Sequence, residues 1–390
     1  MSSSPNKAIF LAALFVITLA PTASWAFKIS PCLRVLTYAP GVLGQLPING
    51  YNQCHLVPSK TGLAVHEHLT RFAIYQYRQV PVEKKLNYRK EPMSNWSVGG
   101  SRPHITSDLI YGSWWNDDPL MLLWGEWTDL FNGALTFGKF FSTPQQETYP
   151  GGSPACKSIA RNNSLTWNSH YGRLQHLHFM SDGEKTADAP SSLLDVREKA
   201  LQWIEFAYGV ATLETPYDTP LTPATEARLG LPSIGDNYCL SDNKHTTIRT
   251  LFARVGMDDA RRTKMVPDVA LGSIFHVLQD SFSPAHTCRI EEKVNGQSYA
   301  VLTKTYNYAD QVAKPNGELH HGELDVYPGW LLDFSRTGNH QYANDPVNVA
   351  AWLLKAVDAR TPWPEVKEHL LDTIFKASDV PAPASPCIGI

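Results

Sequence analysis

His276 and Asp280 stand four residues apart in a stretch that continues through Pro284 to His286. On a helix that spacing places imidazole and carboxylate on one face, one above the other. A chain turned at Pro284 swings His286 back toward the same face. Imidazole nitrogen together with carboxylate oxygen suits a borderline divalent ion such as zinc. The device recurs. His321 and Asp325 are again four apart, His66 and His68 open an apolar run, Asp117 and Asp118 follow Trp114, Trp115 and Asn116, and His176 and His178 flank Leu177. Any one of these groups also suits a solvated helix face or a satisfied core histidine. A shared metal centre accounts for all of them together.

The elements that must position these residues read as mostly helical. Val65, Leu69, Phe72, Ala73 and Tyr77 fall at helical spacing, as do Leu194, Leu201, Ile204, Ala207, Tyr208 and Ala211 within 193–213. Residues 119–141 form another apolar, aromatic-rich helical stretch interrupted by Gly125, Gly133 and Gly138. Pro267 is placed to open a helix over 268–280, since its missing N–H would be unbonded in a first turn anyway. Asp345 and Pro346 open 347–358 with Asp345 as N-cap, and Thr361 and Pro362 open 363–376 in the same way. Residues 143–163 read as loop, 215–241 as a long Pro- and Gly-rich connection, and 296–305 as a small hairpin. The expectation is a single, mostly α domain with long loops pinned by disulfides.

The chain has 390 residues, 43% hydrophobic and 18% charged, which is enough apolar material for a substantial core and excludes wholesale disorder. A net charge of −3 excludes an overall basic field for nucleic acid or anionic lipid. Lys7, the apolar run 8–19 and the small residues that follow have the layout of a secretory signal, cleaved after Ser24 or Ala26. No later run suits a membrane helix, so a secreted or periplasmic protein is expected. Cys32, Cys54, Cys156, Cys239, Cys288 and Cys387 include no CxxC pair and read as disulfide partners, with the connectivity open.

Taken together, these islands resemble the zinc-dependent phospholipases C of bacteria and the related single-strand-specific zinc nucleases. The family's His-x3-Asp-x5-His, with Pro two before the last His, matches His276, Asp280, Pro284 and His286 without a gap. Its His-x3-Asp/Glu matches His321 and Asp325. His66, followed by Ala73 and Ile74, fits the register of its first helix and is selected over His68. Trp115-Asn116-Asp117 resembles the nucleases' Trp-Ala-Asp, and Leu177-His178-Phe179 their Leu-His-Phe. The likeness spans roughly 60–330 in scattered islands.

The resemblance implies a helical domain of the zinc phospholipase C type over 25–380, after a signal peptide at 1–24 and before a tail at 381–390. It also implies three zinc ions. Asp117, His178, His276 and Asp280 would hold one, His286, His321 and Asp325 a second, and His66 with Asp280 a third, so that Asp280 bridges. The mature terminus, Trp25, would complete the third site through its backbone. The chain departs from the pattern in the some forty residues between Trp25 and His66, and in a long Asp117–His178 gap that marks an insertion around 119–168. Asp118 stays open as a substitute for Asp117. The implied reaction is in-line hydrolysis of a phosphodiester, with Asp117 orienting or deprotonating the attacking water.

A phospholipase C acting on phospholipid at a membrane surface is preferred, because the Trp-Trp-Asn-Asp and His-Glu-His-Leu-Thr islands look closer to the lipases. A single-strand nuclease is the alternative, with Tyr111, Trp114, Trp115, Trp124 and Trp127 as stacking platforms, although the same residues suit a lipid slot or the core. A non-catalytic, zinc-stabilised secreted protein is the third possibility. A monomer is expected.

Overall fold

The computed structural model describes residues 65–79, 107–113, 115–117, 119, 146–148, 158–160, 165–170, 172–182, 192–231, 247–253, 259–307, 330, 338–378 and 387. The signal peptide, Trp25, Asp118, the helix expected over 119–141 apart from Pro119, His321, Asp325 and every cysteine except Cys288 and Cys387 lie outside them. The described residues are mostly helical: α1 Val65–Tyr77, α2 Ser107–Gly112, α3 Leu165–His170, a 3-10 turn Gln175–His178, α4 Leu193–Ala211, α5 Pro223–Leu229, α6 Ile248–Phe252, α7 Asp259–Asp280, α8 Pro346–Ala359 and α9 Trp363–Asp372. Two antiparallel pairs accompany them, β1 Gln146–Thr148 with β2 Ser158–Ala160 and β3 Thr287–Val294 with β4 Gln297–Thr305. None of the described helices is long and apolar enough to cross a membrane.

The centre of the molecule is α7. Every residue from Met265 to Asp280 is buried, as expected of a helix enclosed on all sides. It packs against α1, α2, α4, α6 and α8. Its closest neighbour is α2, where the two backbones meet through glycines. A Cβ on Gly272 would sit 2.4 Å from the Gly112 carbonyl carbon, and one on Gly112 would sit 2.6 Å from Val269 Cα. Only glycine permits this approach, which sets the end of α2, and hence Ser113 to Asp117, against the middle of α7.

Several local expectations are corrected. Pro267 does not open its helix: α7 starts at Asp259 and runs through it. Proline costs about 3 kcal/mol inside a helix. Fully burying residues such as Met265, Val266, Val269 and Leu271, each 0% exposed, returns about 1.5–3 kcal/mol apiece, so continuation wins. Within the 215–241 connection, Thr222 caps α5, Pro223 occupies its first turn and Gly230 ends it in the left-handed region. The 143–163 loop contains the β1–β2 pair. The last helix ends at Asp372 rather than 376, and Pro362 sits at its N-cap with no side-chain cap. The chain beyond it pairs with β4 instead: Leu302 N–H donates to the Lys376 carbonyl and Ser378 N–H to that of Leu302. The hairpin is longer than expected, because Asn295 and Gly296, at φ 52° and 81°, form its two-residue turn.

Asp345 caps α8 through the Asn348 N–H, in line with the sequence. The hairpin is fastened to the end of α7 by Arg289, which is 1% exposed and donates to the Ser281, Ala300 and Ile374 carbonyls. A disulfide from Cys288 to Cys387 ties the C-terminal region to β3.

Candidate metal centre

On α7, His276 Nε2 and Asp280 Oδ2 lie 2.9 Å apart, one turn from each other. The glycine contact brings the Ser113 carbonyl to within 2.7 Å of His276 Nδ1, which donates to it. The lone pair of the neutral ring is therefore on Nε2, facing Asp280. From α1, His66 Nδ1 donates to Gln279 Oε1 at 2.6 Å, and Gln279 is held in turn by its donation to Thr70 Oγ at 2.9 Å. That turns His66 Nε2 toward Asp280 Oδ1, 3.4 Å away. The His66 and His276 rings stack with centroids 4.0 Å apart.

His178 ends the 3-10 turn, whose chain is reversed by Phe179 in the left-handed region. Its Nδ1 is 2.8 Å from Asp280 Oδ2 and 2.9 Å from His276 Nε2. Its own carbonyl accepts from His286 Nδ1 at 2.7 Å, so His286 likewise keeps its lone pair on Nε2. Asp117 is delivered by its neighbour. Asn116 donates to the Leu177 carbonyl at 2.6 Å and accepts from Ser273 Oγ at 2.7 Å, and that hydroxyl accepts from Trp203 Nε1 at 3.0 Å. This chain ties the Asp117 turn to α7, α4 and the His178 turn at once.

Every one of these side chains is buried, and burial dominates their protonation. Burial pushes His276 and His286 down to about 3 and His178 well below the usual imidazole range, the last also through His170, His276, His286 and His66 nearby. Burial pushes the Asp280 carboxyl well up. Without a cation, Asp280 must take up a proton to face the His276 lone pair. A divalent ion removes that need and reverses the shift, holding the carboxylate ionised and the imidazoles neutral.

His178 Nε2 and Asp280 Oδ1 are buried with no hydrogen-bond partner. Two sets of ligand atoms, those of His66, His276 and Asp280 and those of Asp117, His178 and His276, lie within 4.8 Å of one another. These buried groups could hold a metal ion, and their nitrogen and carboxylate donors without sulfur fit zinc among the borderline ions.

The structure thus brings together His66, Asp117, His178, His276, Asp280 and His286. Trp25, His321, Asp325 and the alternative Asp118 lie outside the described residues. His176, grouped with His178 by sequence, is buried beside Lys199 and Asp182; burial and then Lys199 lower it to about 4. Trp115 is core, 1% exposed and stacked on Trp203 at 5.1 Å, not a surface platform. The sequence reading missed His170, whose Nε2 is 3.9 Å from Asp117 Oδ1. It has no carboxylate four residues away, and the only available signal was its place eight residues before His178.

In comparisons with known proteins, no family model, no curated protein and no solved structure matches the chain.

Proposed function

We propose that this chain is an exported, zinc-dependent phosphodiesterase of the phospholipase C and single-strand nuclease type, acting as a phospholipase C on glycerophospholipid at a membrane surface. The observation that carries the proposal is the convergence of His66, Asp117, His178, His276, Asp280 and His286, from five separate stretches, on the carboxylate of Asp280 and its surroundings. Four of the five sequence islands that resemble this family meet among the described residues; that of His321 and Asp325 lies outside them. The Cys288–Cys387 disulfide fits an oxidising compartment.

His276, His178 and Asp117 would hold one ion with Asp280. His66 would share Asp280 with another, since Asp280 Oδ1 faces His66 while Oδ2 faces His178 and His276. His286 would join a further ion with His321 and Asp325. Zinc, when bound, supplies an acidified water and neutralises phosphate oxygens. Asp117 orients the attacking water and accepts its proton on a carboxylate oxygen. Ser113, Gln279 and the His178 carbonyl fix which ring nitrogen each histidine turns inward. Burial of the cluster keeps bulk water from screening these charges.

The lipid substrate is preferred over single-stranded nucleic acid on the likeness of the Trp-Trp-Asn-Asp and His-Glu-His-Leu-Thr islands to the lipases; Trp115, spent in the core, serves neither substrate. The test is hydrolysis by zinc-replete protein of phosphatidylcholine vesicles, single-stranded DNA and a chromogenic phosphodiester. Release of the phosphorylated head group is expected. Cleavage of nucleic acid alone would shift the assignment to nuclease, and fully metallated protein that cuts nothing would leave zinc a structural role only.

A further inference from the structure

His170 is the fifth buried imidazole at this centre, and neither the family pattern nor the pairs read from sequence include it. It closes α3, where the Asn168 carbonyl accepts from both Gly172 and Leu174 N–H and folds the following chain back toward the His178 turn. Ser169 Oγ lies 2.9 Å from His170 Nδ1. With the ring proton on Nδ1, the serine oxygen accepts and Nε2 carries the lone pair. Nε2 is the atom aimed at Asp117, 3.9 Å from Oδ1.

Asp117 divides its surroundings evenly. Oδ1 is 3.9 Å from His170 Nε2 and 3.9 Å from His178 Nδ1, while Oδ2 is 3.9 Å from His66 Nε2 and from His276 Nδ1. Ligand atoms on one tetrahedral zinc lie about 3.3 Å apart when zinc–nitrogen bonds are about 2.0 Å. The 3.9 Å from Asp117 Oδ1 to His170 Nε2 and to His178 Nδ1 is a small side-chain adjustment from that, whereas His276 Nδ1, committed to Ser113, is no ligand atom.

The rings give an independent measure. Two imidazoles on one ion place their centroids about 5 Å apart. The His170–His178 ring centroids stand at 4.8 Å, the same as His178–His276, although His170 itself falls outside both sets of mutually close ligand atoms and its side chain must shift to bind. At 8% exposure the His170 side chain is also the least enclosed of the rings around Asp117, which places it at the outer side of the cluster.

We propose that His170 is a metal ligand, binding through Nε2 the ion held by Asp117 Oδ1 and His178. The assignment rests on reading the centre as a metal site and adds a ligand to it.

The test uses the full chain loaded with zinc or cobalt(II). His170→Ala should keep its circular dichroism and bind metal more weakly by over about 100-fold, beyond the tenfold to hundredfold typical of losing an outer partner. His170→Cys places a thiolate where the imidazole was. Direct ligation then produces a sulfur-to-cobalt charge-transfer band in the near ultraviolet, which a merely structural position cannot produce. Should the alanine variant fail to fold, the cysteine variant decides. Unchanged metal affinity in His170→Ala, or cobalt-loaded His170→Cys without the band, overturns the assignment. If His276→Ala loses metal while His170→Ala does not, this ligand is wrong and the metal centre stands. If the unaltered chain binds no metal, the centre itself fails.

Discussion

His276 Nε2 and Asp280 Oδ2 face each other at 2.9 Å while the ring proton of His276 is committed to the Ser113 carbonyl. In the metal-free chain the raised Asp280 carboxyl keeps a proton between them, and the surrounding histidines are buried neutral. On the proposed function, metal binding would release that proton and offset the cost of burying the carboxyl.

Asp280→Asn follows directly from that cost. Removing the buried carboxyl should leave the melting temperature of the EDTA-treated protein unchanged or raised, while abolishing most of the rise that zinc gives the unaltered chain. Thermal melts with and without zinc check this. A large loss of apo stability would mean that Asp280 is there for packing.

Ser273→Ala breaks the Trp203–Ser273–Asn116 chain and leaves two buried polar groups without their partner. We expect about 1–3 kcal/mol of destabilisation in urea unfolding. Metal at Asp117 should also weaken by about 10–100-fold, because the turn carrying it loses its tie to α7. Competition with a chelator measures the second effect, and an unaltered affinity would show that Asp117 is positioned by other contacts.

Gly272→Ala puts a methyl 2.4 Å from the Gly112 backbone, with no flexible side chain to give way. Destabilisation of about 1–3 kcal/mol or more is expected. The His276–Ser113 bond should suffer with it, so metal affinity and denaturant midpoint should fall together. A variant of full stability would contradict the close helix approach.

The lowered histidines set the sign of the pH dependence, and among the described residues the raised Asp280 carboxyl alone opposes it. Burial pushes His276 and His286 down to about 3 and His176 to about 4, against 6.5 for an unperturbed imidazole. Below that unfolded value the unfolded chain takes up protons that the folded chain refuses. Stability from these groups is full above pH 6.5 and is lost progressively as the pH falls toward their folded values. Urea midpoints in EDTA should drop steadily from about pH 7 to about pH 4. A midpoint that rises over that range would contradict the burial of these rings.

What the sequence made legible was local. His276 and Asp280 announce themselves because a helix converts four-residue spacing into a shared face, and the Asp345 cap and α4 follow from the same period. The meeting of Asp117 with His178 was suggested by family order alone. Physically it depends on Gly112 against Gly272 and on Asn116, Ser273 and Trp203, contacts between residues far apart in the chain. His170 escaped notice for that reason. The path of α7 through Pro267 escaped because burial on all sides outweighs a local rule. Six cysteines fix no pairing by themselves, so the Cys288–Cys387 bond needed the fold.

The most direct test is the metal content of the purified, zinc-replete chain beside that of His276→Ala, both confirmed folded. The account predicts more than one tightly held zinc per unaltered chain and a clear loss in the variant, whose imidazole belongs to both candidate ligand sets. A folded protein without zinc, or a His276→Ala variant that holds as much as the unaltered chain, would contradict it.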